Sequence, residues 1–261
     1  MAGESAKVSR RRQLIIEKLD SEQIVWVAKL SKDFNISKVT VRNDLSSLEE
    51  DGLVRRIPGG AVPFAGSTPR PRGGRNEPDC SREKAAISKA AAELIRDGEV
   101  VMINSGSTAL LTAKELRRHR HLKIVTNSLP IANELGDVPT IQIIFLGGQL
   151  NHTYGFTYGE DSISQLQKYK ADTLILSVDG VRGDIGLTTY HAEEAKLIRA
   201  MMERSRSTVV VADHRKINHE SFSYLGPIND VSTLVTDESS DPSALEQISS
   251  KGAHIITCGL V

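Results

Sequence analysis

Seven short aliphatic runs, most of them closing on a polar, small or glycine residue, decide what most of this chain can fold into. They are EVVMIN (99–104), LKIVTN (122–127), TIQIIFLGG (140–148), ADTLILSVDG (171–180), STVVVADHRK (207–216), STLVTD (232–237) and AHIITC (253–258). Continuous apolar runs of this length suit strands covered on both faces. Helix-patterned segments lie between them. SREKAAISKAAAELIRDG (81–98) carries Ile87, Ala91, Leu94 and Ile95 on one face, with Ser81 as its expected cap and Gly98 at its end. TALLTAKELRRH (108–119) is a second helix. Strands alternating with helices imply an α/β, Rossmann-like doubly wound parallel sheet.

In such sheets ligands bind beyond the carboxyl ends of the strands. Polar and glycine residues collect at those ends here: Ser105, Gly106, Ser107 and Thr108; Asn127; Gly147 and Gly148; Asp179 and Gly180; Asp213 and Lys216. A strand, a hydroxyl-rich turn and a helix start at 105–108 make an anion site, because free N–H groups and the helix dipole converge there. An ordinary capped turn would read the same way. No Gly-Lys-Ser/Thr follows, so this is not a nucleotide-binding P-loop. Asp179, Glu194 and Lys216 have the chemistry to shuttle protons in an aldose–ketose isomerase. They are equally suited to hold hydroxyls and phosphate by charge-assisted hydrogen bonds.

The first sixty residues have a different texture. A helix is expected from Arg10 to Leu19, with Leu14, Ile15 and Leu19 as its apolar residues, and a short one from Val27 to Phe34 after strand-like QIVWV. Asn35-Ile36-Ser37 makes a tight turn, with Ser37 as N-cap of the next helix. In KVTVRNDLSSLEEDG, Val41, Leu45 and Leu48 form a core stripe, Lys38, Thr40, Arg42 and Asn43 face away, and Gly52 ends the helix. A polar, basic second helix after a tight turn is the shape that enters a DNA major groove. Arg42 and Asn43 are side-chain types that bond guanine and adenine edges, while Ser37 and Lys38 suit phosphates. LVRRIPGGAV then reads as a wing, with Arg55 and Arg56 against the backbone phosphates and Gly59-Gly60 at the turn. Trp26 is expected to pack under the wing or in the core.

Residues 63–80 are rich in proline and glycine and read as a linker between a 1–62 winged helix-turn-helix domain and an 81–261 ligand-binding and oligomerisation domain. Arg70, Arg72 and Arg75 there either touch phosphates or belong to a solvated tether. Lys plus Arg and Asp plus Glu each number 33, so no strongly basic whole-chain field exists and any nucleic-acid contact must be local. Two cysteines, Cys80 and Cys258, suggest neither a disulfide framework nor a metal site, and the seven histidines show no ligand spacing. MAGESAKVSRRRQ lacks the apolar run of a signal peptide, and a cytoplasmic location is expected. No cofactor, metal or membrane contact is expected.

The stretch IVWVAKLSKDFNISKVTVRNDLSSLEEDGLVRRIPGGAV resembles the N-terminal signature of the DeoR family of bacterial sugar-metabolism regulators. SGST, VTNSL, LGG, VDG, GLTT, EEA and VADHRK resemble that family's effector domain, which is similar to sugar-phosphate isomerases. The repressors of amino-sugar and alditol operons are nearest in pattern. The resemblance implies a repressor of a carbohydrate-use operon that binds double-stranded operator DNA as a homodimer or homotetramer. It implies a phosphorylated-sugar effector, with Ser105, Gly106, Ser107 and Thr108 on the phosphate. Asn127, Gly147, Gly148, Asp179, Glu194 and Lys216 would line the sugar. Three residues depart from the family pattern: Asn43 replaces an Arg, Asn104 an Asp and Arg215 a Ser. The first bears on operator choice, the others on which sugar phosphate fits. The alternative is a sugar-phosphate isomerase-type enzyme with an accessory DNA-binding domain.

Overall fold

The computed structural model describes residues 11–12, 14–15, 18–19, 24–50, 54–63 and 80–259. The chain divides into two compact units, residues 1–70 and 71–261. Gly52 and the arginines at 70, 72 and 75 lie outside the described residues, as does the side chain of Arg55.

In the first unit, residues 11, 12, 14, 15, 18 and 19 are helical. Strand β1 (Val25–Trp26) leads into α1 (Val27–Asp33). Asn35 turns the chain with a φ of 50°, and α2 (Lys38–Glu50) follows. Strands β2 (Val54–Ile57) and β3 (Gly60–Pro63) pair antiparallel, and β1 joins β3 on the other side. Ile15, Leu19, Leu30, Val41, Leu45, Leu48, Val54 and Ala61 form the core, so α2 buries its expected stripe. Leu14 is not part of it and stands 38% exposed. Pro58 followed by Gly59 at φ +80° is what a type II turn requires at the wing tip.

The second unit is a seven-stranded sheet built from all seven aliphatic runs. These are β4 (Val100–Ile103), β5 (Lys123–Thr126), β6 (Gln142–Phe145), β9 (Ala171–Ser177), β12 (Ser205–Val211), β14 (Thr233–Asp237) and β15 (His254–Cys258). Their order is β15-β14-β12-β9-β4-β5-β6, and every pair is parallel. Successive residues feed opposite cores. Val101, Ile103, Ile175, Val209, Val211 and Val235 pack with α3 (Ser81–Glu93), α4 (Ser107–Leu116) and α5 (Leu129–Leu135). Met102, Leu174, Leu176, Val210 and Leu234 pack with α6 (Glu160–Leu166), α7 (Ala192–Glu203) and α8 (Pro242–Ser249). Helices on both faces explain why the strands are apolar throughout.

From β4 the chain winds outward to β5 and β6, then returns to β9 on β4's other side and winds away through β12, β14 and β15. The reversal between β4 and β9 opens a crevice at their carboxyl ends. Two further pieces roof that edge of the chain's path. One is a hairpin of β7 (Gln149–Asn151) and β8 (Phe156–Tyr158). The other is an antiparallel sheet of β10 (Gly180–Arg182), β11 (Gly186–Thr189) and β13 (Ser223–Gly226). Sequence periodicity gave no sign of either, because strands of three or four residues are too short to show a period. Helix α3 also differs from expectation. Cys80, not Ser81, is its N-cap, Leu94 is 38% exposed, and the helix ends at Glu93, ahead of Gly98.

Candidate functional site

In the first unit, α2 is the helix expected to read DNA. Ser37 Oγ accepts the Thr40 N–H at 3.0 Å and lies 2.8 Å from Thr40 Oγ1, so its hydroxyl caps the helix. Lys38, Val39, Arg42 and Asn43 are exposed and Thr40 is half-buried. Sequence reasoning missed Asp44, which is 2% exposed on the core side. It accepts Arg11 Nε at 2.5 Å, Arg11 Nη2 at 3.0 Å and Arg12 Nε at 3.3 Å. A carboxylate three residues after Val41 falls on the buried stripe, and that position was the available signal. The ion pair ties the first helical segment to α2 and holds the Arg11 guanidinium above its usual pKa.

The wing is fastened to the same helix. The Arg56 N–H donates to Glu49 Oε1 at 2.8 Å, and Arg56 Nη1 donates to Ser46 Oγ at 2.9 Å. Arg56 thus reaches back onto α2. Gly60 is buried against β1: a Cβ there would sit 2.2 Å from the Val25 carbonyl oxygen and 3.2 Å from Trp26. Its place is structural packing, and Trp26 lies under the wing at Gly59 and Gly60 while staying 45% exposed.

In the second unit the crevice between β4 and β9 gathers three of the expected residues into one cluster. Ser105 Oγ lies 2.9 Å from both carboxylate oxygens of Glu194. Asn127 Nδ2 donates to Glu194 Oε1 at 2.7 Å and to the Thr157 carbonyl at 2.9 Å. Asn127 is fully buried, yet its Oδ1 has no hydrogen-bond partner among the described residues. Burial pushes the Glu194 carboxyl up to about 7, the Asp179 charge adds to this, and the Asn127 and Ser105 bonds oppose it. Beside this cluster α4 begins after Gly106, whose φ is +143° and whose Cβ would lie 2.5 Å from Ser177 Oγ. Gly106 and Ser107 are exposed, Thr108 is buried, and the first-turn N–H groups have no intrahelical acceptor.

A second cluster joins Asp179 and Lys216. Lys216 Nζ stands 3.7 Å from Asp179 Oδ1, and Asp179 Oδ2 accepts Thr189 Oγ1 at 3.2 Å and the Tyr190 N–H at 2.8 Å. Other expected residues have local structural partners. The Gly147 N–H donates to Gln165 Oε1 at 3.0 Å, and Gly148 abuts Ser162, so both dock α6. Gly180 abuts the His219 carbonyl. Asp213 is 1% exposed and is clasped by Arg215, with Nε–Oδ1 at 2.9 Å and Nη2–Oδ2 at 3.0 Å. Arg215 therefore binds its own neighbour. Asn104 bridges the two central strands, accepting the Ser177 N–H at 2.8 Å and donating to the Ser177 carbonyl at 3.0 Å. An aspartate could not make the second bond, which gives this departure from the family pattern a structural meaning at the crevice floor.

Comparison with known proteins matches this division. A model of the DeoR-like helix-turn-helix domain matches residues 11–64, and one of the DeoR C terminal sensor domain matches residues 79–238. The chain belongs to the DeoR family. This DeoR-family protein is 32% identical over 253 residues to a putative aga operon transcriptional repressor of Escherichia coli O157:H7, covering 96% of this chain and 94% of the relative. It is 30% identical to the glycerol-3-phosphate regulon repressor of Escherichia coli K12, covering 97% and 100%. It is thus a DNA-binding transcription regulator, with its helix-turn-helix domain in the first unit. Among solved structures, ribose 5-phosphate isomerase A of Methanocaldococcus jannaschii covers 51% of this chain and 52% of its own at 18% identity. Its TM-score of 0.38 is too low to carry any argument. Among the described residues no helix is long and apolar enough to cross a membrane.

Proposed function

We propose that this protein represses a carbohydrate-use operon and that a phosphorylated sugar in the crevice between β4 and β9 relieves the repression. The observation that carries the reading is the Ser105–Asn127–Glu194 cluster, with its buried unpartnered oxygen, beside the start of α4. First-turn N–H groups of α4 and the Ser107 and Thr108 hydroxyls suit a phosphate. Asn127, Glu194, Asp179 and Lys216 suit hydroxyls or an amine on the sugar. The relatives' printed names, an aga operon and a glycerol-3-phosphate regulon, fit such a ligand. One recognition helix reads few base pairs, so the operator is a two-fold site bound by a homodimer or homotetramer.

Glu194, poised near neutrality, favours one second reading: proton transfer on the sugar, as in an isomerase. Sensing is the better account, because turnover would destroy the signal that the helix-turn-helix domain reports.

Thermal shift of the full-length protein against phosphorylated sugars, amino sugars and alditols separates these readings. At 100 times Kd a true ligand adds about 2.7 kcal/mol of apparent stability. We expect a shift with a phosphorylated sugar, none with its dephosphorylated form, and loss of the shift in the Ser107→Ala, Thr108→Ala double variant. A normal shift in that variant would place the anion site elsewhere, and conversion of the ligand in a coupled assay would make the protein an enzyme.

A further inference from the structure

At the end of β12, Asp213 is followed by a single 3-10 turn, His214–Lys216. Against it lies Cys80, the residue that opens α3. A ligand atom from each of Cys80, Asp213 and His214 lies within 4.8 Å of the others. We propose that these three side chains form a binding site for a divalent transition-metal ion of the zinc class.

The donor set selects the ion. A thiolate with an imidazole favours zinc, iron(II) or cobalt(II) over magnesium or calcium, which take oxygen ligands. Three protein donors leave the fourth tetrahedral position to water. The imidazole is held as metal-binding imidazoles are. His214 Nδ1 is 2.8 Å from Asp237 Oδ1, and the His214 backbone N–H donates to Asp237 Oδ2 at 2.6 Å. Asp237 is fully buried, so the ring's orientation is fixed by a carboxylate behind it.

The surroundings favour a cation. Asp213 and Glu83 bring negative charge to the Cys80 sulfur, partly offset by Arg215 and Lys84. Glu83 also carries a buried Oε2 with no hydrogen-bond partner among the described residues. Arg215 occupies three acceptor positions of Asp213, from its N–H, Nε and Nη2. A carboxylate has about four such positions, so one is open to a metal. On binding, the Cys80 thiol gives its proton to solvent and forms the metal–sulfur bond, with no change of oxidation state. Residues 80 and 213–214 are too far apart in sequence for ligand spacing to reveal the site. Lys216, in the same turn, reaches Asp179 at 3.7 Å, so the turn that carries His214 also borders the proposed sugar site. The metal site itself does not depend on that ligand.

Full-length protein, stripped with a chelator, is titrated with cobalt(II) and then zinc. We expect one cobalt per chain, a near-ultraviolet cobalt–thiolate charge-transfer band, and its displacement by zinc but not by magnesium. Cys80→Ser should abolish the band and weaken zinc binding about tenfold or more, while Cys258→Ser changes neither. His214→Gln, which leaves Cys80 in place, should weaken zinc binding to a similar degree and covers the case in which Cys80→Ser fails to fold. The absence of a thiolate band in the wild-type protein overturns the proposal, as does a band that survives Cys80→Ser or zinc affinity that His214→Gln leaves unchanged.

Discussion

Glu194 is 2% exposed, in contact with Ser105 and Asn127, and its carboxyl is pushed from its ordinary value of 4.5 up to about 7. A carboxyl raised on folding stabilises the fold in its protonated form. That contribution is complete below pH 4.5 and is lost as pH rises through about 7. The shift corresponds to about 3 kcal/mol. Glu194→Gln keeps the size and removes the titration. In urea unfolding of the full-length proteins, the variant's stability should exceed the wild type's at pH 8 and converge with it near pH 4.5. Parallel curves across that range would show that Glu194 is solvated like a surface carboxyl. The type of residue at 194 could be read from sequence, but its state could not, because the shift comes from burial by segments remote in the chain.

At the scale of elements, two supports hold α2 in the first unit. One is the Arg11–Asp44 pair. Asp44→Ala removes charge-assisted bonds from two arginines and should destabilise the first unit by about 1–3 kcal/mol, measured by denaturation. A neutral result would mean that the pair contributes nothing beyond its solvated alternatives. The other support is the wing, anchored by Arg56 to Ser46 and Glu49. On the exposed face, Arg42→Ala should cost about 1–3 kcal/mol on the operator and relax selectivity at one base pair. Uniform weakening on all DNA would instead make Arg42 a phosphate contact. Helix α2, its Ser37 cap and the wing strands were all legible in the sequence, because each obeys a local rule of period, capping or turn. The small sheet of β10, β11 and β13 was not, since its pairings are set by tertiary context. Gly60 read as a turn residue, but its reason is the Val25 carbonyl across the sheet, a contact that sequence does not display.

At the scale of the molecule, the seven aliphatic runs became seven parallel strands, and their polar ends lie along the carboxyl edge of one sheet. Which of those ends meet was not legible. Sequence reasoning treated the ends alike, whereas the winding order brings Ser105, Asn127 and Glu194 together. It leaves Gly147 and Gly148 docking α6, and Asp213 bound to Arg215. The account's central claim is that ligand in the crevice between β4 and β9 and operator at α2 are coupled. Coupling of this kind is commonly 5–150-fold in affinity. The direct measurement is operator affinity of the full-length protein, by fluorescence anisotropy, with and without each phosphorylated sugar that gives a thermal shift. The account predicts that such a sugar weakens operator binding about fivefold or more, and that the Ser107→Ala, Thr108→Ala variant binds operator normally without responding. Operator affinity that is unchanged by every sugar the wild-type protein binds would contradict it.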